Sequence, residues 1–245
     1  MRKVHFIGIG GIGMSALARM YLLHGAEVSG SDGSPSNITQ ALEELGAKIF
    51  YTHQAEHVPE NTDLVIYTIA ITQDNPELVE AKKRGVKILT YPEALGELSR
   101  EKKTVAVAGT HGKTTTTAML GDIARAAGLD PTIIVGSLLR NEKTPSTFLG
   151  ASNFIAGKSD LLVVEACEFR RSFLNLQPFG LIITNIDNDH LDYFRDLADI
   201  QSAFAELAAK LPPDGFLVCD TKDPSLQPVL VRVRCKVIDY KQLDK

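Results

Sequence analysis

Apolar residues recur along this chain as short runs separated by stretches with helical spacing. Lys3–Ile7, Glu27–Ser31, Lys48–Tyr51, Leu64–Thr68 and Lys87–Leu89 read as strands. Helical patterns lie between them, near Met14–Leu23, Ile38–Leu45 and Pro76–Arg84. Gly25, Gly46 and Gly85 follow these patterns, where a left-handed residue closes a helix. Strand–helix alternation predicts a parallel sheet with helices on its faces.

A second series begins at Thr104. Thr104–Ala108, Thr132–Val135, Leu161–Glu165, Leu181–Thr184, Phe216–Cys219 and Lys236–Tyr240 read as strands. Lys113–Ala127 and Asp199–Lys210 read as helices. In the latter, Ile200, Phe204, Leu207 and Leu211 fall on one face, and Pro212-Pro213 ends it. The charged stretch Ser99-Arg100-Glu101-Lys102-Lys103 marks a boundary, giving domains over 1–99 and 100–245, and polar, Gly-containing Asn141–Lys158 reads as a surface loop. The fold class is α/β: a Rossmann-like parallel-sheet domain, then an α/β/α domain of phosphate-loop type.

Composition narrows the function. The 245 residues suffice for a substantial core, and 44% are apolar, too many for a disordered chain. The net charge of −4 argues against a nucleic-acid partner held by a strong positive field. No apolar run is long enough to insert in a membrane. The N-terminus superficially suggests a signal peptide, but Gly8, Gly10, Gly11 and Gly13 interrupt its apolar stretch and Arg19 follows it. Three cysteines without metal-ligand spacing suggest a reducing, cytoplasmic setting.

Two loops carry the candidate chemistry. Gly8-Ile9-Gly10-Gly11-Ile12-Gly13 fits G-x-G-x-x-G between a strand and a helix, where glycines let the backbone approach a phosphate at the helix N-terminus. Asp32 lies 19 residues beyond Gly13, placed to accept from a sugar hydroxyl; a dinucleotide such as NAD is the default ligand, as in an oxidoreductase. The second loop is Gly109-Thr110-His111-Gly112-Lys113-Thr114-Thr115. The strict G-x-x-x-x-G-K-[ST] pattern fails, because Val107 stands where its first glycine belongs. The working parts remain: Gly112 for backbone wrapping, Lys113 for the β and γ phosphates, and the Thr114 hydroxyl for Mg2+.

Glu165 ends a buried-strand pattern, placed to meet a metal near Thr114. For Glu168 a surface role and a site role are both open. Asn185 to Asp192 follows the next strand; within it His190 either binds a second metal or phosphate, or only makes a structural hydrogen bond. Cys167 lacks a supporting base and reads as a small buried residue rather than a nucleophile.

His5-Phe6-Ile7-Gly8-Ile9-Gly10-Gly11-Ile12-Gly13-Met14, then Gly109 to Thr115, then Asn185 through His190-Leu191-Asp192, resemble the Mur ligases of bacterial peptidoglycan synthesis, in order and over essentially the whole chain. The closest branch joins L-alanine to UDP-N-acetylmuramate. The resemblance implies an ATP-dependent amide-forming enzyme acting through an acyl phosphate. It implies that the first domain binds UDP rather than NAD: Gly8, Ile9, Gly10, Gly11, Ile12 and Gly13 at the diphosphate, Asp32 and His53 toward the uridine, and Thr68, Ala70 and Ile71 beside it. The family often carries two serines where Thr68 and Ile69 stand. In the second domain it implies ATP at Gly109, Thr110, His111, Gly112, Lys113, Thr114 and Thr115. Lys113, Glu165 and His190 would be catalytic, and Thr114, Glu165 and His190 metal ligands for Mg2+. The usual Glu-Ala-Asp-Glu here reads Glu165-Ala166-Cys167-Glu168.

The resemblance implies that the family's C-terminal domain, and the last part of the central domain after Tyr240, are not included in these residues. The expectation is a truncated chain, inactive alone, whose missing domain another chain could supply. Alternatives are a ligase recycling a preformed tripeptide onto the same UDP-sugar, an NAD-dependent oxidoreductase, and a non-catalytic nucleotide-binding fragment.

Overall fold

The computed structural model describes residues 1–139, 152–188 and 193–242. Contact density divides the chain into two compact units: Met1–Ala94 with Ser137–Phe154, and Leu95–Gly136 with Ile155–Lys245.

The first unit is built on β1 (Lys3–Ile7), α1 (Ile12–Leu23), β2 (Glu27–Ser31), α2 (Asn37–Glu44), β3 (Lys48–Phe50), β4 (Leu64–Tyr67), α3 (Pro76–Lys83) and β5 (Lys87–Thr90). The sheet order is β3-β2-β1-β4-β5, every pair parallel. Phe6 and Ile7 of β1 and Leu64, Val65 and Ile66 of β4 are fully buried, as central parallel strands covered on both faces require. The predicted glycine closures form. After α1, Gly25 adopts φ 78, its N–H donates to Leu22 O at 3.0 Å and Ala26 N–H donates to Tyr21 O at 3.0 Å. Gly46 and Gly85 close α2 and α3 in the same way. At the other ends, Ser36 and Thr39 form a reciprocal capping box on α2, and the Asn75 side chain caps α3 ahead of Pro76.

Next comes α4 (Tyr91–Glu101), which runs through the predicted boundary at 99/100, so Ser99–Glu101 are helix rather than linker. Its start is set by Thr90 and Glu93: both the backbone N–H and the hydroxyl of Thr90 donate to Glu93 Oε2 at 2.7 Å. Ala94, Leu95 and Leu98 form its buried stripe.

The second sheet and its helices comprise β6 (Lys103–Ala108), α5 (Lys113–Ala126), β7 (Thr132–Leu139), β8 (Ser152–Ile155), β9 (Leu161–Glu165), β10 (Gly180–Ile183), α6 (Leu197–Ala208), β11 (Phe216–Cys219), α7 (Gln227–Leu230) and β12 (Lys236–Asp239). The sheet order is β12-β11-β10-β6-β9-β7-β8. Strand β6 is central, with β10 and β9 parallel on either side. The C-terminal ends of β6, β9 and β10 therefore sit together, the place where such sheets bind ligands. The predicted apolar face of α6 is buried at Ile200, Phe204 and Leu207, and Leu211 beyond it is buried too. Strand β8 overturns part of the loop expected over Asn141–Lys158, and β7 runs four residues past its predicted end at Val135. Residues 140–151 lie outside the described residues.

Candidate functional site

Each unit presents a glycine-rich loop at the end of its central strand. In the first, Gly8 takes φ 83, and a Cβ there would stand 2.5 Å from Thr68 Cγ2. A side chain at Gly8 would meet both strain and collision. The N–H groups of Gly8 and Ile9 donate to Ser31 O at 2.8 and 2.9 Å, tying the loop to β2. Gly10 and Gly11 bend the chain into α1, which opens at Ile12. Gly13 serves packing: a Cβ on it would lie 2.3 Å from the Tyr91 ring.

Asp32 is brought to this loop. Its Oδ2 accepts from Gly10 N–H at 2.8 Å and its Oδ1 from Gly33 N–H at 2.8 Å. The carboxylate thus holds the loop's shape, beyond the sugar-contacting role read from spacing. Thr68 lies against Gly8, and Ile71 N–H closes the turn onto Thr68 O at 3.0 Å. Ala70 is exposed on that turn, whereas Ile71 packs against the apolar cluster of Ile7, Val58, Val65, Leu78 and Ala81.

His53 belongs to a network that the sequence did not single out. Glu77 is fully buried at the start of α3. Its Oε2 accepts from Ser31 Oγ at 2.6 Å and lies 2.8 Å from His53 Nδ1. Its Oε1 lies 3.3 Å from His5 Nε2 and 3.7 Å from His57 Nδ1. Burial works to raise the Glu77 carboxyl, but hydrogen bonds from His5, Ser31 and His53 outweigh it and hold the group below the ordinary carboxylate value. An acidic residue in the first turn of a polar helix normally reads as solvated surface, so Glu77 has no local signature of burial.

In the second unit, Gly112 adopts a left-handed φ of 82 and α5 starts at Lys113 with no side-chain cap. The first N–H groups of α5 are therefore left for a ligand. The preceding part of the loop is laced to the segment after β10. Thr110 N–H donates to Asn185 O at 3.1 Å, and Asp187 N–H donates to Thr110 Oγ1 at 2.9 Å. The Asn185 side chain takes the His111 N–H at 2.9 Å and returns its own amide to His111 O at 3.0 Å. Thr184 Oγ1 also donates to His111 O, at 2.6 Å. These bonds fix the loop from outside. Thr115 follows Thr114 in the first turn of α5.

The predicted Thr114–Glu165 pair forms: Thr114 Oγ1 lies 2.9 and 3.0 Å from the two Glu165 oxygens. Gly136 N–H donates to Glu165 Oε2 at 2.6 Å, orienting the carboxylate. Lys113 Nζ donates to Gly109 O at 2.7 Å, Thr110 O at 3.1 Å and Glu168 Oε1 at 2.9 Å. Glu168 is not a surface residue: it is only 2% exposed. It is tucked inward by a turn in which Arg170 and Arg171 take left-handed φ of 50 and 56, uncommon for arginine. Cys167 is exposed rather than buried, yet loss of solvent around its thiol and the Glu168 and Glu165 charges push it up, which disfavours a nucleophilic thiolate. His190 lies outside the described residues.

Among the described residues no three His, Cys, Asp or Glu side chains cluster as a metal site. A hydroxyl and a carboxylate on adjacent elements still suit Mg2+, which takes few protein oxygens and fills its shell with phosphate and water. No helix among the described residues is long and apolar enough to cross a membrane.

Residues 3–103 match the Mur ligase family catalytic domain, and residues 107–245 match the Mur ligase middle domain. The UDP-N-acetylmuramate--L-alanine ligase of Clostridium botulinum (strain Okra / Type B1) is 44% identical over 98% of this chain and 50% of its own. That of Clostridium kluyveri is 45% identical over 98% of this chain and 51% of its own. The chain thus spans about half the length of the curated relatives it matches. Among solved structures, the UDP-N-acetylmuramate-alanine ligase from Thermotoga maritima is similar at TM-score 0.80 and 35% identity, covering 94% of this chain and 51% of that one. A UDP-N-acetylmuramate:L-alanyl-gamma-D-glutamyl-meso-diaminopimelate ligase from Neisseria meningitides is similar at TM-score 0.82 and 30% identity, covering 97% of this chain and 77% of that one. With matched domains in sequence order and two glycine loops at the ends of central parallel strands, the chain belongs to the Mur ligase family.

Proposed function

We propose that this chain supplies the nucleotide-binding part of a ligase that joins L-alanine to UDP-N-acetylmuramate. Residues 1–99 hold the UDP-sugar and residues 100–245 hold ATP, in the cytoplasm where both are found. The observation that carries this reading is the pairing of Thr114 with Glu165 beside Lys113, with a separate glycine loop at Gly8–Gly13. A dehydrogenase needs only the second of these.

In this reading the exposed N–H groups at the start of α5 take the phosphates of ATP. Lys113 then exchanges part of its present set of acceptors for phosphate oxygen. Thr114 and Glu165 would hold Mg2+, which supplies neutralising charge at the phosphates. The muramyl carboxylate receives the terminal phosphoryl group, and the amine of alanine displaces phosphate to form the amide. Catalysis of this kind rests on positioning and charge neutralisation, the task for which Lys113 is placed.

A ligase that recycles a tripeptide onto the same UDP-sugar is the second reading, favoured by the likeness to the Neisseria structure. The sequence relatives favour alanine. Phosphate release decides between them, measured on this chain joined to the remaining half of the Clostridium botulinum relative. The expected result is release that depends on L-alanine. Release that depends on the tripeptide instead contradicts the alanine reading.

A further inference from the structure

One buried carboxylate in the first unit organises three imidazoles. Among the described residues, the ion-pair partners of Glu77 are His5, His53 and His57. The protons of this cluster can be assigned by donor and acceptor count. Ser31 has one hydroxyl proton, and it goes to Glu77 Oε2 at 2.6 Å. His53 Nδ1 lies 2.8 Å from Glu77 Oε2 and 3.0 Å from Ser31 Oγ. Both oxygens act as acceptors toward it, so Nδ1 must carry a proton. Nε2 is on the opposite edge of the ring, and no described residue bonds it. The side chain is 29% exposed. Ser31 also holds the glycine loop through its carbonyl, so the inner edge of His53 and the backbone of Gly8 and Ile9 share one anchor.

We propose that Glu77 is a positioning residue for the uridine diphosphate site: it holds His53 as the Nδ1-protonated ring and turns Nε2 to the ligand as an acceptor for an N–H or O–H of the nucleotide. This rests on the reading of the first unit as the UDP site. The ring nitrogen that carries the proton is set by the partner of the other edge, and here that partner is a carboxylate with no freedom to donate. His5, 3.3 Å from Oε1 and bonded through Nδ1 to Ser29 Oγ at 2.8 Å, holds the carboxylate from the other side, while His57, stacked on Phe50 at 4.0 Å, gives its Nδ1–H to Thr52 O at 3.1 Å.

Imidazole 15N spectroscopy and UDP titration of the 245-residue chain test the assignment. In the free protein, His53 is expected with Nδ1 protonated and Nε2 bare, and UDP should perturb Nε2 while leaving Nδ1 protonated. A free protein with bare Nδ1 at His53 overturns the Glu77 assignment alone. UDP that fails to bind the unchanged chain overturns both this proposal and the functional reading beneath it. Glu77→Met removes the acceptor at similar length and should weaken UDP binding about tenfold, the upper end for one hydrogen bond to a neutral imidazole. His53→Ala should weaken it by a similar factor, and adding Glu77→Met to His53→Ala should change nothing further. Independent, multiplying losses would mean that Glu77 acts on the fold and would overturn the proposal. If Glu77→Met fails to fold, the wild-type spectra still decide.

Discussion

Lys113→Ala should weaken ATP binding by about a hundredfold while leaving UDP-N-acetylmuramate binding unchanged. The reasoning starts from three donors on one ammonium. Lys113 Nζ is directed at Gly109 O, Thr110 O and Glu168 Oε1, all at the mouth of the loop. Phosphate oxygens that replace Glu168 gain charge-assisted hydrogen bonds, each worth about 1.5–3 kcal/mol, and a hundredfold loss is about 2.7 kcal/mol. The Gly8–Gly13 loop is held by separate atoms, Ser31 O and the Asp32 carboxylate, so it should not feel the change. Calorimetric titration of both ligands into the variant measures this. Equal loss of both affinities would mean that the sites are not independent.

The same substitution should also lower the stability of the second unit by about 2 kcal/mol. The Glu168 side chain is 3% exposed and that of Lys113 is 15% exposed, so this is a buried pair. Removing one member of a fully buried pair costs about 3–5 kcal/mol, because the other charge loses its partner in a poorly solvated place. Partial exposure of Lys113 reduces the figure. Glu168→Gln should therefore recover about half of the loss when added to Lys113→Ala, although alone it destabilises. Urea unfolding of the wild type, both single variants and the double variant forms the required cycle. Additive effects would show that the ion pair contributes nothing to the fold.

Glu168 also illustrates where the sequence was readable and where it was not. The alternation of strands and helices, the glycine closures and the apolar face of α6 are local signals, and they appear in the structure as read. So does the approach of Thr114 to Glu165, because strand ends in a parallel sheet gather by rule. Helix α4 was missed, although Thr90 three residues before Glu93 and the stripe Ala94, Leu95 and Leu98 mark it, because its charged end reads as a linker. Strand β8 had no such signal, being short and set in polar sequence. Glu168 and Glu77 were not legible, because burial of a charge depends on partners far along the chain. Lys113 reaches Glu168 across 55 positions, and His53 reaches Glu77 across 24. The lacing of His111 to Asn185 spans 74 positions and likewise has no local signature.

The central claim is that two nucleotide sites of different kind occupy the two units. Isothermal titration of the unchanged chain tests it most directly, with UDP-N-acetylmuramate added before and after saturation with ATP and Mg2+, and NADH as competitor. UDP-N-acetylmuramate should bind in both cases, and NADH should not displace it. Displacement of the UDP-sugar by NADH, or mutual exclusion of ATP and UDP-sugar, would contradict it.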